Sequence, residues 1–176
     1  MSQVNMNNFV SLSVLLTGFQ KDIIAPSLDP KDIKQVYFDL FSAFPVTMAD
    51  GSIQKMDFLT PLLTEYVELK EAGLSPEAIG EKLINTENGT SATPSIALMS
   101  QSLIFTWYLG ILPGIKVSNK SFVFDRFGTS TAGSEAYTTG LAWNAMQAHP
   151  MGYSNMSYGY WSKEPVDLKF YTGEEQ

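Results

Sequence analysis

The sequence predicts a mainly α protein: a single-domain irregular helical bundle of about six helices, with a long loop and an extended aromatic C-terminal strap. Three observations lead to this class. Apolar residues recur at three- and four-residue steps through most of the first two thirds of the chain. Cap-plus-proline pairs (Asp29-Pro30, Thr60-Pro61, Ser75-Pro76 and Thr93-Pro94) punctuate that pattern as helix starts. At 176 residues and 44% apolar composition, the chain can bury one full core without needing a second domain. The expected organisation is a flexible N-terminus over residues 1–8, one helical domain over 9–165 and a tail over 166–176.

Phe9, Leu12, Leu15, Leu16, Phe19 and Ile23 share one face of a first helix that should end near Ala25-Pro26. Gly18 lies inside it, which a closely packed neighbouring backbone would explain. The second helix should start at Asp29-Pro30 and carry Ile33, Val36, Tyr37, Leu40, Phe41 and Phe44 as far as Pro45. Residues 48–55 read as a turn around Asp50-Gly51. A third helix follows from Thr60-Pro61 to Gly73, and a short fourth from Ser75-Pro76, bearing Ile79 and Leu83.

The fifth helix should start at Thr93-Pro94 and contain the longest apolar run, residues 103–113. Ile96, Met99, Leu103, Ile104, Trp107, Tyr108 and Ile111 share a wide face, while Leu98, Phe105 and Leu109 fall largely on the other side. A helix apolar nearly all round is buried on several sides, so this one should be central. Gly110 and Pro113-Gly114 should end it. Residues 115–133 read as a short hairpin or an irregular excursion, with 128–133 flexible. Ser134-Glu135 should cap a sixth helix running to His149-Pro150. The residues from Met151 onwards are too aromatic for a disordered tail and should form a strap across this domain or across a partner.

Several functions are disfavoured at this level. The net charge of −7 argues against nucleic acid, which needs clustered Lys and Arg, and against anionic lipid. No cysteine means no disulfide, thiol chemistry or Cys-based metal site. The single histidine, His149, reads as a cation near a helix end rather than as a base. No segment reaches the roughly 20 apolar residues that span a bilayer. The carboxylates are scattered along predicted polar helix faces, and no phosphate-loop, dinucleotide, zinc-protease or nucleophile-elbow motif is present. Three glycosylation triplets, at Asn88, Asn119 and Asn155, carry little weight without a signal peptide. At the N-terminus there is no leader, so the chain either stays in the cytoplasm or has lost one.

The aromatic clusters are the one unusual feature. Trp107, Tyr108, Tyr137, Trp143, Tyr153, Tyr158, Tyr160 and Trp161 could be core, interface anchors or a sugar-stacking platform. Core is the default for the helical ones, and a partner interface is favoured for Tyr153 to Trp161.

Four motifs in order carry a family resemblance: Leu16-Thr17-Gly18-Phe19; Trp107-Tyr108-Leu109-Gly110; Glu135-Ala136-Tyr137 with Leu141-Ala142-Trp143; and Trp161 followed by Pro165. From about Phe9 to Pro165 the chain resembles the small (gamma) subunit of the membrane-bound, FAD-dependent sugar and polyol dehydrogenases, the group with D-sorbitol, fructose and glucose dehydrogenase complexes. The resemblance implies a non-catalytic, helical accessory subunit with no cofactor, metal or catalytic residue of its own. It implies that FAD and the sugar-oxidising residues sit in a large flavoprotein partner and that a cytochrome c subunit often completes the complex. It also implies a chaperone-like role in co-exporting the flavoprotein to the periplasm. The chain departs from the family pattern at Ser154, where a cysteine is usual, and in a longer 115–133 excursion. Two alternatives stand beside this reading: a stand-alone binding domain for a sugar or small apolar ligand, and an enzyme working through His149 or a carboxylate pair.

Overall fold

The computed structural model describes residues 4–148. They form eight helical segments and a four-stranded sheet, so the protein is a mixed α/β structure and not the helical bundle that periodicity suggested. The helical segments are α1 (Met6–Thr17), α2 (Lys21–Ile24), α3 (Ile33–Ser42), α4 (Leu59–Glu71), α5 (Pro76–Asn85), α6 (Ile96–Leu109), α7 (Ser134–Thr138) and α8 (Leu141–Ala145). The strands are β1 (Phe44–Thr47), β2 (Ile53–Met56), β3 (Ile111–Ser118) and β4 (Ser121–Thr131), in sheet order β2-β1-β3-β4.

The first helix is shorter than its apolar pattern. Asn5 caps it, its side chain accepting the Asn8 N–H at 3.0 Å, and Gly18 ends it in the left-handed region at φ 74°. A β-carbon on Gly18 would meet nothing within 4 Å, so this glycine serves a helix C-terminus, not a close backbone approach. Phe19 and Ile23 fall outside α1: Phe19 lies in the link to α2, and Ile23 is exposed while its neighbour Ile24 is the buried residue of that short helix. The second predicted helix starts late as well. It begins at Ile33, and the Asp29 carboxylate pairs with Lys34 instead of capping backbone.

Pro45 and Pro113 were helix terminators in the sequence reading, and both lie in strands. Phe44 and Val46 alternate inward on β1, each with no exposed surface, and a hairpin around Asp50-Gly51 leads to the exposed edge strand β2. Phe44 stacks on Phe58 with ring centroids 4.3 Å apart, and Phe41 meets both edge-on. Those three rings join sheet to helices. The 115–133 segment is the hairpin alternative, but a long one. β3 and β4 pair antiparallel around Asn119-Lys120, both at positive φ as a twist-matched two-residue turn requires. The register slips between Leu112 and Gly114, where Pro113 has no N–H to offer the ladder. Residues 128–131, expected to be flexible, belong to β4.

α5 starts as expected at Ser75-Pro76, whereas α4 and α6 start on caps other than Thr60 and Thr93, and α6 ends at Leu109, which puts Ile111 in β3 instead of on the helix. Asp57 Oδ1 accepts from the N–H groups of Leu59 and Thr60, and Ser75 and Ser95 cap α5 and α6. Helix α6 is central: it packs on α1, α4, α5, α8 and β3. Two of its buried hydroxyls are satisfied by carbonyls one turn back, Ser102 to Leu98 at 2.7 Å and Thr106 to Ser102 at 2.8 Å, while the buried Ser100 hydroxyl has no partner.

The end of α6 governs everything after it. Gly110 sits at φ 67° and turns the chain straight from helix into β3. A β-carbon there would overlap the Ala136 carbonyl, because α7 lies against the turn. The expected sixth helix is split at Gly140, which packs against the Tyr108 carbonyl with no room for a side chain. Two glycines thus form a close crossing of α6 with the α7–α8 segment. Gly110→Ala adds left-handed strain of about 1–2 kcal/mol to that overlap and should cost at least ~3 kcal/mol. Gly18→Ala, with the same conformation in open space, should cost only about 1 kcal/mol. Urea denaturation of the two variants measures the difference.

Candidate functional site

The sequence-singled aromatics fall into two described groups. Trp107 is only 4% exposed and sits at the centre of the helical layer. Its indole N–H donates to the Ser13 hydroxyl of α1 at 3.0 Å, and the Tyr37 ring of α3 meets it edge-on at 4.7 Å. One turn position further, the Tyr108 hydroxyl donates to the Thr17 carbonyl at 3.0 Å, and Phe19 packs edge-on against its ring. Trp107 and Tyr108 therefore tie α6 to the end of α1, which leaves almost none of Trp107 for a partner.

Tyr137 and Trp143 form the second group. Their rings meet edge-on at 5.5 Å, and the Trp143 indole N–H donates to the Tyr137 carbonyl at 2.9 Å. The same carbonyl also accepts the Gly140 N–H at 3.3 Å, so both bonds meet at the break between α7 and α8. Tyr153, Tyr158, Tyr160, Trp161 and His149 lie outside the described residues.

Trp107 and Trp143 converge on one cleft of about 300 Å³. Its floor is Trp107. One wall comes from α2, α3 and their connection, with Ile24, Asp29 and Ile33; the other comes from the α7–α8 segment, with Thr138, Leu141 and Trp143. Lys31 spans the walls, pairing with Glu135 at 2.6 Å and reaching the Thr138 hydroxyl at 3.3 Å. Both members are partly exposed, so the pair orients more than it stabilises. Asp29 is more enclosed, its side chain 11% exposed, and Lys34 bridges it to Asp32 at 3.1 and 2.8 Å. The hydrogen bond to Asp32, with the further contact to Asp29, raises the Lys34 pKa above its usual 10.5 against an opposing effect of burial.

A second concavity was missed by sequence reasoning. Ile104 and Phe105 of α6, Pro113 of β3 and Phe124 of β4 line an apolar groove of about 590 Å³, edged by Gln101, Asp125 and Thr129. Phe124 is 39% exposed. The signal was present in α6, where Phe105 and Leu109 fell off the core face; the opposite wall required the hairpin.

Among the described residues, no group of three His, Cys, Asp or Glu side chains is placed to hold a metal, and no helix is long and apolar enough to cross a membrane. No protein-family model, curated protein or solved structure matches the chain.

Among the described residues two buried hydroxyls lack a hydrogen-bond partner, Ser100 of α6 and Tyr37 of α3. The Tyr37 hydroxyl has no hydrogen-bond partner and burial drives its pKa far up from 10. A raised folded-state pKa means the neutral phenol contributes stability below pH 10 that is lost as the pH rises above it. Tyr37→Phe should therefore stabilise the protein by about 1 kcal/mol at pH 7 and flatten its alkaline decline. Thermal unfolding of wild type and variant from pH 7 to 11 checks both signs, and a loss of stability at pH 7 would mean that the hydroxyl has a partner.

Proposed function

We propose that this chain is the non-catalytic small subunit of an FAD-dependent sugar or polyol dehydrogenase complex. It binds and stabilises the large flavoprotein subunit, which holds the FAD and the sugar-oxidising residues, and accompanies it to the periplasm. A cytochrome c subunit in the same complex passes the electrons to the membrane. The four ordered motifs of the sequence support the family reading.

The groove between α6 and the β3–β4 hairpin carries the docking part of the proposal. It places Ile104, Phe105, Pro113 and Phe124 together on a partly exposed surface, and its polar residues stand at the edge. An apolar centre with a polar rim is the arrangement of a protein–protein contact. It also lies on α6 just before the Trp107-Tyr108-Leu109-Gly110 motif, so signature and surface share one helix.

Co-expression with the flavoprotein encoded beside its gene tests the proposal. A stable complex should form, and the flavoprotein should lose solubility or activity when produced alone. Phe124→Asp places a charge at the groove centre from an already exposed position, so it should reduce complex recovery at least tenfold with little change in melting temperature. Full flavoprotein activity without this chain, and no complex with it, would sink the reading.

A further inference from the structure

We infer that the cleft between α2–α3 and the α7–α8 segment binds a small, neutral, polyhydroxy ligand of about monosaccharide size. This site is separate from the docking groove: the two concavities share no lining residue. The volume of about 300 Å³ stands at the lower end of what ligand pockets occupy, roughly 300–1,000 Å³, so the ligand is smaller than a nucleotide or other drug-sized molecule.

The chemistry of the lining selects the class. Both indole N–H groups are committed elsewhere, Trp107 to Ser13 and Trp143 to the Tyr137 carbonyl, so the two rings present carbon to the cleft. With Ile24, Ile33 and Leu141 they make an apolar surface suited to the C–H face of a ring or carbon chain. The polar lining accepts more than it donates. Thr138 and Thr139 give their hydroxyl protons to the Glu135 carbonyl at 3.0 and 2.8 Å, which leaves the Thr139 oxygen as an acceptor, and on Thr138 the lone pair that Lys31 does not use. Asp29 uses Oδ2 on Lys34, and its Oδ1 takes no hydrogen bond from the described residues. Asn144, exposed at the rim, supplies both a donor and an acceptor. A ligand rich in donors is required.

Charge narrows it further. Lys34 stands 3.1 Å from the Asp29 carboxylate and repels a second cation there; Lys31 and Lys34, beside the cleft, are both paired, so an anion finds no free cation in either. Hydroxyls remain. They donate to Asp29 and the threonine oxygens while the carbon skeleton rests on the Trp143 indole, with the small exposed edge of Trp107 beneath it.

The test uses the full chain alone, so it stands or falls separately from complex formation. The three tryptophans give three indole N–H signals in ¹H–¹⁵N spectra, assigned with Trp143→Phe and Trp107→Phe variants. Titration with glucose, galactose and mannitol should shift the Trp107 and Trp143 signals together and saturably for at least one of them. Asp29→Asn should weaken that binding at least tenfold, and Asn144→Ala, at an exposed rim position with no structural hydrogen bond to lose, severalfold. If Asp29→Asn fails to fold, Asn144→Ala decides. No saturable shift with any of the three, unchanged affinity in the variants, or saturation of the same signals by tetramethylammonium instead would overturn the assignment.

Discussion

The turn at Gly110 is the constraint on which the rest of the structure depends. Helix α6 is buried along most of its length and cannot be shifted, so the direction in which it ends decides where the second half of the chain goes. A left-handed residue without a side chain allows an immediate turn into β3 while α7 closes against the same backbone. Both candidate surfaces follow from that geometry. The hairpin launched by the turn becomes the far wall of the apolar groove, and the α7–α8 segment packed on the turn becomes one wall of the cleft.

Polar chemistry in the core fixes how α6 sits on its neighbours. The Trp107 indole must find an acceptor when buried, and the Ser13 hydroxyl supplies it across the contact of α6 with α1. Tyr108 makes the equivalent contact with the last carbonyls of α1, just where Gly18 ends that helix. Leu16-Thr17-Gly18-Phe19 and Trp107-Tyr108-Leu109-Gly110, far apart in sequence, are therefore two sides of one contact. That gives the two motifs a structural reason to occur together. It also means that this part of the signature reports a helix crossing, and the functional reading leans on the surfaces beside it.

Much of the helical layer was legible in the sequence. Capping oxygens and prolines placed α4, α5 and α6 to within a few residues because those starts depend on local hydrogen bonds, although Asp57 and Ser95, not Thr60 and Thr93, supply the caps of α4 and α6. The sheet was not legible, for a physical reason. β1 and β2 are four residues each, too short for alternation to register, and Pro45 and Pro113 carry the same helix-ending signal whether a loop or a strand follows. The β3–β4 turn uses Asn119-Lys120, without the glycine that marks such turns. Of the sites, the convergence of Trp107 and Trp143 could not be read because the chain break at Gly140 creates it. Asp29 looked like a cap, and only the late start of α3 frees its carboxylate to face Lys34 and the cleft.

The correction of fold bears directly on the account of function. A bundle of helices would offer the outer face of α6 alone; the β4 strand turns that face into a groove with Phe124 opposite Phe105. Hydrogen–deuterium exchange of this chain, with and without the proposed flavoprotein partner, tests that central claim most directly. The account predicts slowed exchange confined mainly to residues 101–105 and 113–129 on complex formation. Complex formation with unchanged exchange over both segments would contradict it.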